Sequence, residues 1–298
     1  MASVLERSLS AAGKPLFLCD FSPPRGPGLG YLDYIKLLDM DFVCVAYNPS
    51  KSVRADSAML SHQIKAKTGK DVVFNLACRD MNKLAIQSHL LGAAILGLEN
   101  VIIVQGDAFS ERDRALAREV SDFKATDLIA AVRAMNQGVD YRGLKLTAPT
   151  RFCIGATLDL GKGIEQEARR TEKKLAAGAQ FFITQSVFQV SLVQEFLDSF
   201  RRINGHDLAA PVFYGLYILD KDGVFFGDIP PQVIEELEKG RSGLDIALDV
   251  FQQFVAGGIN TFYLIPPIMK GGIRKYDVAQ MLVETARRSL GVHLPAPD

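Results

Sequence analysis

Shortages narrow the character of this 298-residue chain before any motif is sought. Charge of neither sign is in excess. Lys and Arg number 34 against 34 Asp and Glu, so the whole chain offers no electrostatic footprint for nucleic acid or an anionic membrane. Long apolar runs are missing: no stretch reaches the length of a membrane span, and residues 1–10 lack the apolar core of a secretory signal. The expectation is a cytoplasmic protein with no membrane partner. Cysteine is sparse and wrongly spaced for zinc, since Cys19, Cys44, Cys78 and Cys153 lie far apart within or at the ends of predicted strands. They read as reduced, buried packing residues, with Cys19 and Cys78 held in reserve as pocket-lining thiols. No Ser, His and Asp constellation suggests a serine nucleophile. His62 and His89 fall in predicted helices, and His206 and His293 in polar loops.

What is present is apolar material, 48% of the residues, ample for a core. The organising stretch is residues 100–107, N-V-I-I-V-Q-G-D. Its short run of β-branched residues reads as a strand buried on both faces, as parallel strands covered by helices are. The strand stops at Gly106, where the backbone is free to turn or a ligand to come close, and Asp107 follows at once. That carboxylate either caps the next turn or takes part in chemistry, because strand ends are where α/β folds build their sites.

Seven further strands are read over residues 15–21, 41–47, 72–78, 152–157, 180–185, 211–216 and 258–265. Helical spacing falls between and after them at 31–38, 58–69, 82–96, 126–135, 164–177, 192–203, within 231–256, and at 275–290. Residues 110–124 read as a charged loop or irregular helix. Eight alternating units with no linker predict an α/β fold, a single-domain (β/α)8 TIM barrel over 15–298 behind an N-terminal extension over 1–14. An open doubly wound sheet is the alternative, since alternation does not count closure.

Either architecture sends the ligand to the carboxyl ends of the strands. The residues gathered there are Asp20 and Arg25, Tyr47 and Asn48, Asn75, Arg79 and Asp80, Gln105 to Asp107, Thr157 and Asp159, Gln185, Tyr214, Tyr217 and Tyr263. Two carboxylates, neutral amides and aromatics suit a flat polar ligand held by hydrogen bonds and stacking. A dry cavity would let one carboxyl serve as a general acid. No lysine stands at a strand end, which argues against Schiff-base chemistry. The glycines at 26, 28 and 30 lack the third member of a dinucleotide fingerprint, position 33 being Asp, and read as a turn. Gly161 and Gly163 precede a helix bearing Arg169, Arg170, Lys173 and Lys174, which either holds a pyrophosphate or is a solvated face paired with Glu165, Glu167 and Glu172.

Five ordered blocks resemble the methylenetetrahydrofolate reductase family. They are Asp20-Phe21-Ser22-Pro23-Pro24-Arg25; Cys78-Arg79-Asp80-Met81-Asn82 with the helix from Gln87 to Ala93; Gln105-Gly106-Asp107; Ala177-Gly178-Ala179 with Ile183-Thr184-Gln185; and Tyr263-Leu264-Ile265-Pro266-Pro267. The second and fifth look like the reductase domain fused to a homocysteine methyltransferase in some bacteria, here standing alone.

The resemblance implies a flavin-dependent oxidoreductase of one-carbon metabolism and methionine biosynthesis. It reduces 5,10-methylenetetrahydrofolate to 5-methyltetrahydrofolate by ping-pong hydride transfer from NADH or NADPH through FAD. It implies further that Asp20 protonates the folate nitrogen, that Asp107 sits near flavin and pterin, and that Gln185 binds the pterin, with Phe226 or Phe225 stacking on the folate. Tyr47, Asn75, Gln105, Gly106, Asp107 and Ala125 would line the flavin ring. Glu167, Arg170, Lys173 and Lys174 would reach its ribityl chain and phosphates. Three positions depart from the family pattern: Asp20 stands for the usual Glu, Asn75 for a common His, and Gln105 for an Arg of some members. They motivate an alternative, a folate- or flavin-binding subunit whose catalysis has lapsed or depends on a partner. A homo-oligomer and an electron-donating protein partner are both open.

Overall fold

A computed structural model describes residues 2–11 and 13–291. His293 and the rest of 292–298, like Met1 and Ala12, lie outside the described residues.

The strands are β1 (Leu16–Phe21), β2 (Phe42–Val45), β3 (Val72–Ala77), β4 (Asn100–Val104), β5 (Cys153–Leu158), β6 (Phe181–Ser186), β7 (Val212–Tyr217) and β8 (Thr261–Ile265). Each pairs in parallel with its sequence neighbours, and β8 pairs with β1 through Leu16 opposite Thr261 to Cys19 opposite Leu264. The sheet is closed, so the fold is the (β/α)8 barrel and not the open sheet. Helix α1 (Val4–Ser10) precedes the barrel. Helices α2 (Tyr31–Leu37), α3 (Ser57–Thr68) and α4 (Lys83–Ile95) follow the first three strands in turn. After β4 come α5 (Glu111–Leu116) and α6 (Ala125–Asn136), and after β5 and β6 come α7 (Ile164–Ala177) and α8 (Val190–Asn204). Helices α9 (Pro231–Glu238) and α10 (Gly243–Ala256) follow β7, and α11 (Tyr276–Ser289) closes the ring. Among the described residues no helix is long and apolar enough to cross a membrane.

Strand period places the chemistry. Along β1 successive side chains alternate, so Leu16 and Leu18 point to the barrel axis while Phe17, Cys19 and Phe21 pack outward under the helices. The inner set, with Phe42, Cys44, Val73, Ile102, Cys153, Phe181, Ile183 and Phe213, fills the barrel as one apolar layer. The outer set is larger and rich in aromatics: the rings of Phe17, Phe251 and Phe262 lie 4.9–6.0 Å apart. Burying each such phenylalanine contributes about 1.5–3 kcal/mol. All four cysteines are free and buried, as their apolar surroundings in the sequence predict.

The barrel floor is closed by α1. Ser3 and Glu6 form a capping box that starts the helix, and Val4 is fully buried against the inner apolar layer. Asn100, at the first position of β4 and itself buried, accepts from the Val4 amide at 2.9 Å and donates to the carbonyls of Val72 at 3.2 Å and Ala2 at 3.3 Å. Helix α1 thus covers the bottom of the inner apolar layer.

Candidate active site

Because β1 alternates Leu16, Leu18, Asp20 inward, the position two residues above the apolar layer is polar, and the same rule brings up Asn75, Thr157, Gln185, Tyr217 and Tyr263 on other strands. Together with Tyr47, Asp107, Phe226, Arg25, Arg54 and Arg274 they line a cavity of about 630 Å³ at the carboxyl ends of the strands. A second cavity of about 350 Å³ shares Tyr47, Asp107, Thr157 and Gln185 with the first and adds Arg79, Gln105 and Gly106. Of the fourteen residues to which the resemblance gives a role, eight therefore converge. The other six, Ala125, Glu167, Arg170, Lys173, Lys174 and Phe225, line neither cavity.

Asp20 is the most constrained of the converging groups, with only 6% of its surface exposed. One carboxylate oxygen accepts from Tyr263 Oη at 3.0 Å, and the other from Arg274 Nε at 3.2 Å, with Arg274 Nη2 also at 3.2 Å. Burial, and next to it the charge of Asp20, holds the Tyr263 phenol well above its ordinary pKa, so this hydroxyl stays protonated and donates. Sequence reading missed Arg274 because it looked only at strand ends. Arg274 sits on a hairpin beyond β8, bridged to Ile268 and turned by Gly271 and Gly272, both at φ +80°. The Gly-Gly pair is a hairpin signal that would have found it.

The β4 end is pinned by Arg79. Its guanidinium donates to both oxygens of Asp80 at 2.6 and 2.8 Å and to the Asp107 carbonyl at 2.8 Å, and lies 4.7 Å over the Phe109 ring. Asp107 does not cap the following helix. Ser110 does, in a capping box with Asp113, and the Asp107 side chain is left exposed at the cavity mouth. Gly106 adopts φ +83°, where any side chain is strained, and a Cβ there would meet the Cβ atoms of Arg79 and Ala77 at 3.2 and 3.3 Å. Gln105 accepts from the Ala125 amide at 2.9 Å and so caps α6, which ties two of the candidate residues to each other. Asn75 donates to the Val45 carbonyl at 2.9 Å and to Cys44 Sγ at 3.3 Å. Burial, and after it the nearby charges of Asp80 and Asp56, pushes the Tyr47 phenol up to about 12.

Gln185 reaches the cavity through a break in the ladder. The β6–β7 register shifts between Ile183 and Ser186, and Thr184 Oγ1 bridges it, accepting from the Gly215 amide at 2.8 Å and donating to the Gln185 carbonyl at 2.6 Å. A Cβ on Gly215 would lie 2.3 Å from that carbonyl, so glycine is what lets the bulge form. Phe226 is half exposed on the loop after β7; that loop is anchored where Tyr217 Oη donates to the Val224 carbonyl at 3.1 Å.

Helix α7 resolves into an inner and an outer part. Glu167 is 3% exposed and pairs with Lys174 at 3.2 Å and Arg170 at 3.5 Å, while Lys174 also donates to the Thr157 carbonyl at 2.6 Å just behind the cavity wall. Lys173 is exposed.

This arrangement can be set beside known proteins. The family model described as methylenetetrahydrofolate reductase matches residues 5–221. The chain belongs to the methylenetetrahydrofolate reductase family. Methylenetetrahydrofolate reductase (NADH) 1 of Zea mays is 20% identical over 289 aligned positions, which cover 88% of this chain and 48% of that one. The chain thus spans about half the length of this curated relative of the methylenetetrahydrofolate reductase family. An uncharacterized protein from Clostridium thermocellum that binds two copies of 5-methyl-5,6,7,8-tetrahydrofolic acid has the same fold, with a TM-score of 0.68 at 14% identity over 96% of this chain and 100% of that one. The match to the methylenetetrahydrofolate reductase model ends before β8, so Tyr263 and the Arg274 hairpin lie beyond it.

Proposed function

We propose that the protein reduces 5,10-methylenetetrahydrofolate to 5-methyltetrahydrofolate, using FAD reduced by NADH or NADPH in a ping-pong sequence at one site. The observation that carries this reading is the convergence of Asp20, Asp107 and Gln185 on a single cavity in a chain of the methylenetetrahydrofolate reductase family. The folate bound by the Clostridium thermocellum protein of the same fold supports the ligand class.

The two adjacent cavities give the ring of a flavin beside a pterin a polar and aromatic lining, in which Tyr47, Asn75, Gln105, Gly106 and Asp107 are joined by Gln185 and Phe226. In this reading the first five hold the ring with Ala125, Arg170 and Lys173 serve the phosphates beyond the rim, and Glu167, buried against Arg170 and Lys174, positions those cations. The bound flavin would supply the two-electron carrier. Asp107 and Gln185 orient the pterin, and Phe226 covers it. Asp20 hands a proton to the folate nitrogen. With both oxygens engaged as acceptors it does so only after taking a proton from solvent and releasing Arg274, while Tyr263 keeps its own proton and fixes the carboxyl group.

The Arg274–Asp20 pair equally favours a second reading, a folate- or flavin-binding subunit whose catalysis has lapsed or awaits a partner. Anaerobic spectroscopy of the purified protein separates the two. The proposal expects a flavin spectrum that bleaches with NADH or NADPH and returns on adding methylenetetrahydrofolate, with Asp20→Asn losing only the second step. Bleaching that folate never reverses supports the subunit reading, and bleaching by a reduced protein alone identifies that class of donor. A protein with no affinity for flavin defeats the proposal.

A further inference from the structure

Between β4 and α6 the chain crosses a stretch that buries nothing. From Ala108 to Glu119, which includes α5, no residue is buried, and Leu116 is 85% exposed. The stretch is held at its two feet, and both feet rest on Arg79. Arg79 Nη1 donates to the Asp107 carbonyl at 2.8 Å, and the Val120 amide donates to the carbonyl of Arg79 itself at 2.8 Å. The Phe109 ring packs on the same guanidinium. A single residue past the end of β3 thus gathers the two ends of a surface loop, as in loops of the omega kind. Segments with few buried apolar contacts open at far lower cost than the core they are attached to.

Among the described residues, hydrogen bonds and ion pairs tie the body of that loop to one other place, Lys51 in the loop after β2. Lys51 Nζ donates to the Ala108 carbonyl at 3.2 Å and pairs with Asp113 at 2.7 Å. Asp113 also closes the capping box with Ser110, so one cation grips the start of α5. The hydrogen bond from Lys51, and after it those from Ser110, hold the Asp113 carboxyl well below the usual carboxylate range. The loop that presents Lys51 is strained: Asn48, Ser50 and Lys51 adopt φ of 38°, 55° and 57° without being glycine. Left-handed non-glycine residues persist where the surroundings over-determine them, and clamps and switch regions are such places. Because β3 lies between β2 and β4 in the barrel, the residues after β2 and after β4 flank the cavity of about 350 Å³ above Ala77 and Arg79. Tyr47, Asn48 and Pro49 line it from the first side, and Gln105, Gly106 and Asp107 from the second. Lys51 joins the two sides just beyond these linings.

A strained loop held by one lysine to a stretch with nothing buried has a second state within reach, since releasing the lysine relaxes the one and frees the other. We propose that residues 108–119 are a flap, hinged on Arg79 and latched by Lys51, and that unlatching it widens the second cavity for a ligand to enter or leave. The latch depends on this chain's own residues alone; the identity of the ligand, a flavin, rests on the function proposed above.

The test is timed digestion with trypsin of wild-type protein, Lys51→Met, Asp113→Asn and the double variant, reading by mass the cuts after Arg112, Arg114 and Arg118, all exposed. Asparagine keeps an oxygen for the Ser110 cap and removes the charge. Cutting within the flap tracks the population of its open form. Loss of a partly exposed ion pair together with a hydrogen bond from a charged donor predicts cutting about 5-fold faster in Lys51→Met, with a smaller gain in Asp113→Asn. The double variant is cut no faster than Lys51→Met, and added salt speeds wild type relative to Lys51→Met. Melting midpoints stay within ~1 °C of wild type, because the flap opens without the barrel. Equal rates in wild type and Lys51→Met, full additivity in the double variant, or cutting that rises only as the midpoint falls, each overturns the latch. FAD gives the second readout. Bound between the two sides of the cavity, it slows cutting of the flap; FAD that binds and leaves cutting unchanged overturns the flap as the gate of that cavity. If no FAD binds, the flavin reading falls and the variants alone decide the flap. Should Lys51→Met fail to fold, Asp113→Asn and the salt dependence of wild type carry the same expectations.

Discussion

Replacing Arg274 by methionine keeps most of the side-chain volume and removes the charge that faces Asp20. The pair lies 3.2 Å apart, with side chains 11% and 8% exposed, so water does little to screen it. Breaking a buried pair by deleting one partner costs about 3–5 kcal/mol, because the survivor is left desolvated. Tyr263 still donates to Asp20, which places the loss at the lower end, about 3 kcal/mol. Unfolding entropy of about 2.1 cal/mol/K per residue gives roughly 0.6 kcal/mol/K for a chain of 298 residues, so the midpoint should fall by about 5 °C. Scanning calorimetry of Arg274→Met, Asp20→Ala and the double variant measures it. Each single variant strands one charge and the double strands none, so the double should lose clearly less than the two singles together. Strict additivity, or an Arg274→Met midpoint within ~1 °C of wild type, refutes the ion pair as a structural unit.

Gly155→Ala on the inner face of β5 would place a Cβ 2.4 Å from the Phe181 ring and 2.8 Å from Ile102. Overpacking of this kind should cost about 1–3 kcal/mol in denaturant unfolding, and an unchanged midpoint contradicts the inner layer. Asn100→Ala leaves the Val4 amide without its acceptor, a loss of about 1–3 kcal/mol, and should speed protease cleavage ahead of β1; equal cleavage rates would mean α1 does not depend on that contact. Burial pushes the Cys78 thiol up to about 12 and Cys153 to about 11, and raises Cys19 and Cys44 as well, with the charge of Asp20 adding to both. Only the thiolate attacks, so a disulfide reagent at pH 8 should leave the native protein unlabelled, label faster as pH rises, and label all four thiols once it is denatured. Rapid stoichiometric labelling of native protein at pH 8 contradicts the burial of the labelled thiol.

The barrel was legible because buried parallel strands announce themselves as short apolar runs, and the helices between them by their spacing. The expected bounds agree with the observed ones to within a few residues, as for α7 at Ile164–Ala177 and β3 at Val72–Ala77. Asp20, Asp107 and Gln185 were legible for the same reason, as polar residues at or just beyond the ends of apolar strands. Arg54 and Arg274 were not, since each lies well past its strand in a loop whose path depends on contacts elsewhere. Helix α1 was hidden too, a short polar segment whose single fully buried residue, Val4, matters only when a barrel floor exists to receive it. Glu167, expected either on a solvated face or among the residues that reach a flavin's ribityl chain and phosphates, is buried against Arg170 and Lys174, a burial that depends on how α7 packs.

The order of residues by itself determined eight strand–helix units and the polar layer above an apolar one, because both follow from side-chain alternation along a few neighbouring positions. Closure of the ring and the clamp on Asp20 were decided only by the tertiary structure. They join residues 243 and 254 positions apart, and no local pattern encodes which distant side chain arrives when β8 meets β1.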